Sequence, residues 1–431
     1  MKDVSLERRK MWALAGILLL ALFLGVYNLS ANSIWYDEVV SISQPDSILD
    51  GRFIGPPSVY YAVMRFALVF GHSEFVARFP SVVFGVLFVF TAFVLAGMLF
   101  GWRVGLLAAL FIATSPFNLL HMQSARMYTL LGLLSAASIV FFYRALASGR
   151  DRDWMLYGIA IVLDINVHFS AYLLLCAQTV FFALRRREYR ASQKKFLTML
   201  LLAVVFTLLV PGVFEKAGYV TADAAARMSA AEYVFRIIAS LSKGSDNPVN
   251  WELTAPAFFL FIFGFHSMRN EAGDKRLFLA VMFIIPLALS PLMLRYPRYL
   301  FYLLPLYWTA IAYGMAGMGA RKRAIACIIL LSLNLYGIMD YYSGRNDDWR
   351  SAAAFLKENA VQKLFVLPYH EGVCLEYYGI AGEAMSEFHG GPARGWFVVS
   401  DFSADMWEYD TSKEDCTLKA AYMGLRVFQC G

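Results

Sequence analysis

Charge is scarce in this sequence. Asp, Glu, Lys and Arg supply 16% of 431 residues against 59% hydrophobic ones, and the mean hydropathy is +0.54, which excludes a soluble domain of ordinary composition. The six histidines are scattered without metal-ligand spacing. There is no Gly-rich phosphate loop, zinc motif or nucleophile elbow, so the usual sequence marks of nucleotide binding, zinc binding and serine-hydrolase chemistry are missing. Neither an internal repeat nor a low-complexity tract stands out, and paired repeats are what a transporter built from two halves would show. Cysteine is sparse and divided. Cys176 and Cys327 sit in apolar segments and read as small packing residues. Cys374, Cys416 and Cys430 fall in the polar C-terminal part, where Cys416 and Cys430 could pair if that end faces an oxidising compartment.

What the sequence has instead is apolar runs. A helix needs roughly 17–25 residues to span about 30 Å of hydrocarbon, and about eleven candidate spans recur, at 11–29, 79–100, 104–120, 127–146, 154–167, 170–184, 196–214, 253–266, 277–294, 299–318 and 324–341. The net charge of +6 is then a topology marker rather than a sign of nucleic-acid binding. Lys and Arg mark every second loop: Arg8, Arg9 and Lys10; Arg103; Arg144, Arg150 and Arg152; Arg185 to Lys195; Arg269 to Arg276; Arg321 to Arg323. The N-terminus is therefore expected in the cytoplasm, as an uncleaved anchor, and the C-terminal part outside it. The short apolar segment 57–70, interrupted by Arg65, suits a helix lying along the interface. In the outer loop 215–252, residues 222–242 read as an amphipathic helix, either a mobile lid or a passive interfacial helix.

After Tyr342 the composition changes. Asp347-Asp348-Trp349 begins an amphipathic helix, and 363–367, 396–399 and 425–428 read as strands of a small extracytoplasmic α/β domain over 345–431. Residues 1–344 form the membrane domain, with its working loop at 30–78.

That loop carries Trp35-Tyr36-Asp37-Glu38 where the first span leaves the membrane. An Asp-Glu pair in a loop is ordinarily just solvated. Here it lies between aromatic residues that favour the headgroup level and the returning Pro56-Pro57, within reach of a lipid-borne substrate and of water. Charged groups within or beside spans are costly and default to function. Asp164 and His168 are four apart near an outer helix end, either serving the same outward-facing cavity as Asp37 or bonding neighbouring helices. Arg126, beside Tyr128, opens one span, and Arg295 and Arg298, beside Tyr299, open another. Arginine's planar fork matches phosphate oxygens, although a snorkelling anchor is the plainer role.

In order, Trp35-Tyr36-Asp37-Glu38, Pro56-Pro57 with Tyr60-Tyr61, Glu74-Phe75-Val76-Ala77-Arg78-Phe79-Pro80-Ser81, 100–109, Ser115-Pro116-Phe117 and 123–128 resemble the GT-C membrane glycosyltransferases, above all bacterial relatives of protein O-mannosyltransferases and of the aminoarabinose transferases that modify lipid A. The resemblance implies a polyprenyl-phosphate sugar donor, a cell-envelope acceptor, surrounding membrane lipids and no nucleic acid, in the plasma membrane. It implies Asp37 as catalytic base; the residues themselves put Glu38 beside it, offer Arg126, Arg298 and Tyr299 for the donor phosphate, and set Asp164, His168 and Tyr128 around the cavity. Relatives often carry His and Glu where this chain has Gly55 and Ser124, which leaves a divalent metal open. A flippase for a lipid-linked substrate and an inactive GT-C scaffold are the alternatives.

Overall fold

The computed structural model describes residues 2–49, 58–209, 229–244, 251–270, 274–292, 296–343, 347–361, 363–382, 385–386, 394–400 and 416–430. Gly55, Pro56, Pro57, Arg295 and much of the 215–252 loop lie outside them.

The chain is a mostly helical, multi-pass membrane protein. Among the described residues, six helices are long and apolar enough to cross a bilayer: Arg8–Val26, Glu74–Phe100, Tyr128–Ser148, Arg190–Leu208, Asp274–Leu292 and Ala320–Ser343. A seventh span results if Trp102–Ala113 and Pro116–Met122, bent by 60° at their junction, count as one. The remaining expected spans are also helical but shorter, at Asp151–Val167, Ala171–Leu184, Trp251–Ser267 and Leu304–Ala316. The segment expected to lie along the interface is helical over Ser58–Leu68, and the amphipathic helix expected within 215–252 is present as Ala230–Lys243.

Local sequence explains the ends that place the site. Ser73 caps Glu74–Phe100 by accepting from the Val76 amide at 3.3 Å, and Glu74 sets a negative charge at the helix's positive end. Gly101, at φ 90°, stops that helix and lets Trp102–Ala113 begin at once in a new direction. Ser115-Pro116 makes the next break, with proline in the first turn, where its missing N–H costs nothing. The bundle core is aromatic: Phe111 stacks on Trp308 at 5.0 Å, and Phe88 meets Phe301 at 4.8 Å. Trp251–Ser267 and Leu304–Ala316 pack backbone to backbone, since a Cβ on Gly264 would run into the Ala310 carbonyl.

Beyond the bundle, Trp349–Glu358 forms the expected amphipathic helix, with Asp348 accepting from the Ser351 amide at 3.2 Å as its cap. Five strands follow among the described residues: β1 Leu364–Leu367, β2 Met385–Ser386, β3 Gly395–Ser400, β4 Cys416–Tyr422 and β5 Leu425–Cys430. They form one sheet in the order β2-β1-β3-β5-β4, parallel between β1 and each of β2 and β3, and antiparallel elsewhere. Cys416 and Cys430 face each other in the β4–β5 hairpin and are joined as a disulfide. The core of this unit is not self-contained, because Ile34 and Val39, which follow the first helix, are buried in it with Trp349, Leu364, Val366 and Val427.

One carboxyl group in this unit makes its stability depend on pH. Burial first, and the nearby charge of Asp347 second, push Glu371 up to about 7. A carboxyl raised on folding favours the folded state most below its unfolded value, and that contribution is lost as pH rises through about 7. Hydrogen exchange of β1 and β3 is therefore expected to be faster at pH 8 than at pH 5 after correction for intrinsic rates, and Glu371→Gln is expected to flatten the difference. Equal protection in wild type at both pH values would contradict this.

Candidate active site

Four helix ends converge on Asp37. It lies in the first turn of Tyr36–Leu49, while Arg126 comes from the turn between Pro116–Met122 and Tyr128–Ser148. Arg298 comes from the 3-10 segment Pro297–Leu303, and His168 from the break between Asp151–Val167 and Ala171–Leu184. The Asp37 carboxylate sits between two guanidinium groups, with Oδ2 3.7 Å from Arg126 Nη2 and 3.6 Å from Arg298 Nη2. These distances are charge contacts longer than hydrogen bonds, so neither arginine is locked onto the acid. Arg126 is instead fixed through Nη1, which donates to the Asp37 carbonyl at 2.8 Å and to Ser41 Oγ at 3.0 Å. Arg298 is held by rings, with its guanidinium carbon 4.3 Å from the centre of Tyr296 and about equally far, 5.9–6.0 Å, from Trp35, Tyr128 and Tyr299.

The adjacent carboxylates part company. Glu38 is fully buried, and both of its oxygens are engaged: Arg78 donates through Nε to Oε1 at 2.8 Å and through Nη2 to Oε2 at 2.7 Å, and the Ala125 amide donates to Oε1 at 2.7 Å. Arg78 spends its other protons on the carbonyls of Leu29, Asn32 and Ser33. Glu38 and Arg78 thus clamp the segment that follows the first helix onto the helix Glu74–Phe100. Expected to act with Asp37, Glu38 holds the loop that presents Asp37, because a carboxylate forked by an arginine and bonded to an amide has little capacity left for a substrate. In the sequence Arg78 stands out only as part of the motif Glu74-Phe75-Val76-Ala77-Arg78-Phe79-Pro80-Ser81.

Asp164 and His168 also diverge. Fully buried between helices, Asp164 accepts from Ser135 Oγ at 2.7 Å. His168 pairs its Nδ1 with Ser170 Oγ at 2.8 Å and sets its ring 4.7 Å from Tyr299. Burial, followed by the charges of Arg126 and Arg298, lowers His168 to about 3, so its imidazole is neutral throughout the physiological range. His168 and Tyr299 therefore support the arginines as a neutral, aromatic wall.

Beside Arg298 opens a cavity of about 500 Å³, lined by Trp35, His121, Gln123, Ser124, Tyr128 and Tyr341 among others. Its volume lies within the range of small-molecule pockets. His121 and Ser124 are 4% and 7% exposed, and His121 Nε2 and Ser124 Oγ have no hydrogen-bond partner, so the cavity wall carries buried polar atoms awaiting one. Gln123 is spent differently, its amide donating to the carbonyls of Leu24, Gly25 and Tyr27 to tie the end of the first helix to the site. In the sequence Ser124 stands out only as a departure from relatives and His121 carries no functional signal, since nothing local announces that two side chains three apart will face one void. Among the described residues, no group of three His, Cys, Asp or Glu is placed to hold a metal ion. With two arginines against Asp37 and a third on Glu38, the donor set does not suit a divalent cation.

Residues 55–213 match the family described as dolichyl-phosphate-mannose-protein mannosyltransferase, a stretch that includes Arg78, Arg126, Asp164 and His168. No curated protein sequence matches the chain. Among solved structures, ArnT from Cupriavidus metallidurans bound to undecaprenyl phosphate is similar at a TM-score of 0.63 and 13% identity, over 96% of this chain and 97% of that one. The archaeal oligosaccharyltransferase AglB from Archaeoglobus fulgidus, in complex with an inhibitory peptide and a dolichol-phosphate, is similar at 0.60 and 12%, over 91% of this chain and 69% of that one. Arabinofuranosyltransferase AftD from Mycobacteria follows at 0.51 and 14%, over 98% and 41%. At such identities the likeness is one of fold.

Proposed function

We propose, starting from the chain's place in the GT-C superfamily of membrane glycosyltransferases, that this protein transfers a sugar from a polyprenyl-phosphate donor to a cell-envelope acceptor at the outer face of the plasma membrane. The observation that carries this reading is one carboxylate, Asp37, held between Arg126 and Arg298, the second of which lines a polar, aromatic cavity. A base and two phosphate-binding cations within one charge contact of each other are what displacement of a lipid phosphate requires. Asp37 takes the proton of the acceptor hydroxyl as that oxygen bonds to the anomeric carbon. The anomeric carbon–oxygen bond to phosphate breaks, and the leaving polyprenyl phosphate gains charge opposite Arg126 and Arg298. A single displacement inverts the anomeric centre. The sugar occupies the cavity, where Ser124 Oγ and His121 Nε2 meet its hydroxyls and Trp35 and Tyr128 its ring face. No step is routed through a metal.

In this reading all eleven apolar segments span the membrane, the N-terminus is cytoplasmic and the C-terminal unit extracytoplasmic. The Cys416–Cys430 disulfide supports that orientation, because such bonds persist in oxidising compartments. The experiment is transfer of radiolabelled sugar from polyprenyl-phosphate donors by the purified protein to envelope extracts. Label incorporated only with intact protein supports the reading, and none with any donor rejects it. Arg298→Lys keeps the charge but loses the fork, so the donor KM is expected to rise about tenfold, the worth of a charge-assisted hydrogen bond. An unchanged KM in both Arg298→Lys and Arg298→Ala would make Arg298 an interfacial anchor.

A further inference from the structure

We infer that the C-terminal α/β unit is a positioning device for the catalytic acid, acting through Tyr378, Glu74 and Arg350. This rests on the reading of Asp37 as the base.

The Asp37 side chain is poorly fixed by its own contacts, two ion pairs of 3.6 and 3.7 Å. Its position is therefore set by the backbone that carries it, residues 33–39. From the membrane side that backbone is held by the Glu38–Arg78 clamp. From the other side it is held by the C-terminal unit. Ile34 and Val39, flanking Asp37, are buried in that unit's apolar core, so the segment and the domain cannot move separately without opening the core. Three polar ties fix the register. The Ile34 amide donates to Tyr378 Oη at 2.8 Å, and Tyr378 Oη in turn donates to Glu74 Oε1 at 2.9 Å. Arg350 bridges Glu74, at 2.6 Å, and the Ser30 carbonyl, at 3.0 Å. Ser33 Oγ donates to Asp348 Oδ1 at 3.2 Å and accepts from the Arg350 amide at 3.2 Å.

The Tyr378 hydroxyl is the relay in this network. It accepts from the segment that carries Asp37 and donates to the first turn of the helix that carries Arg78, so one atom ties the C-terminal unit to both halves of the site. Glu74 is the shared acceptor of Tyr378 and Arg350, and its charge at a helix N-terminus favours the ionised form that accepts both. Tyr36, next to Asp37, adds an edge-on ring contact with His370 at 5.0 Å. An acid held by backbone from two sides stays poised between two arginines without being locked onto either. This is what a base that must take a proton beside an anionic phosphate needs.

The test uses the full-length protein in nanodiscs and compares Tyr378→Phe, Glu74→Ala and Glu74→Gln. Tyr378→Phe keeps the ring and removes only the relay. Its kcat for sugar transfer, per correctly folded and disulfide-bonded molecule, is expected to fall about 10- to 100-fold, as misplacement of a catalytic group does, with the donor KM changed much less than kcat because Arg298 is held mainly by Tyr128, Tyr296 and Tyr299, outside the loosened segment. Glu74→Ala is expected to match it, and Glu74→Gln, which still accepts from both partners, to recover most of the rate. Amide exchange of residues 33–41 is expected to speed up in Tyr378→Phe while β1, β3 and β5 stay protected. A wild-type kcat in Tyr378→Phe, a fall only in proportion to folded protein, or no rescue by Glu74→Gln would overturn the inference. Should the wild type transfer no sugar at all, the proposed function fails by itself and the exchange measurement decides this point: unchanged exchange at 33–41 overturns the positioning role, and a rise confined to that segment supports it.

Discussion

Asp37→Asn protein is expected to insert, fold and bind polyprenyl phosphate while transferring sugar about 10² to 10⁴ times more slowly than wild type, the usual cost of losing a general base. The substitution keeps size and hydrogen-bonding capacity, and the side chain is partly open to solvent, so little stability is at stake. The two arginines make the expectation sharper. In the wild type the Asp37 charge lies 3.6–3.7 Å from both guanidinium groups that would bind the donor phosphate, and so competes with it. Removing that charge leaves Arg126 and Arg298 more attractive to an anion. Donor binding, followed by titration of fluorescent polyprenyl phosphate, is therefore expected to be equal or tighter as kcat collapses. A collapse of both would assign Asp37 to binding, and near-normal transfer by well-inserted protein would remove it from the chemistry.

The neighbouring acid is expected to fail in the opposite way. Glu38→Ala leaves Arg78, only 2% exposed, as a buried charge without its counter-ion, and orphans the Ala125 amide as well. Breaking one side of a buried pair typically costs about 3–5 kcal/mol. Such a loss is a large part of the stability of an ordinary domain. The expected result is poor yield, aggregation on detergent extraction and a lowered melting temperature, with Arg78→Ala behaving alike. Glu38→Gln, which can still accept from the amide and from the arginine, should lose less. Full stability of Glu38→Ala, together with loss of activity per folded molecule, would return Glu38 to the catalytic role that its adjacency to Asp37 suggests.

Much of this protein is legible in sequence because its solvent is a membrane. Apolar length, arginine and lysine spacing and the change of composition after Tyr342 are one-dimensional signals, and each has a direct physical cause in lipid. The helices of the bundle, the helix Trp349–Glu358 and strands β1, β3 and β5 lie where those signals put them. Asp37, Arg126 and Arg298 were singled out by position relative to the outer boundary, and the structure brings the three together. Length was a poorer guide for individual spans, since short helices such as Ala171–Leu184 are supported by their neighbours rather than by their own extent.

The sequence by itself determined the class of protein and the small set of charges that could carry its chemistry, because burying a charge near lipid is costly enough to leave few candidates. It could not tell apart the surroundings of Asp37 and Glu38, which are chemically alike and adjacent. Only the tertiary structure did so, by bringing Arg78 from 40 residues away onto one and Arg126 and Arg298 beside the other. It likewise separated Asp164 from His168, made a cavity wall of His121 and Ser124, and enclosed Ile34 and Val39 in a core supplied from beyond residue 345. Each of these depends on which helix ends meet, and that is fixed by packing over long sequence separations, which no local pattern encodes.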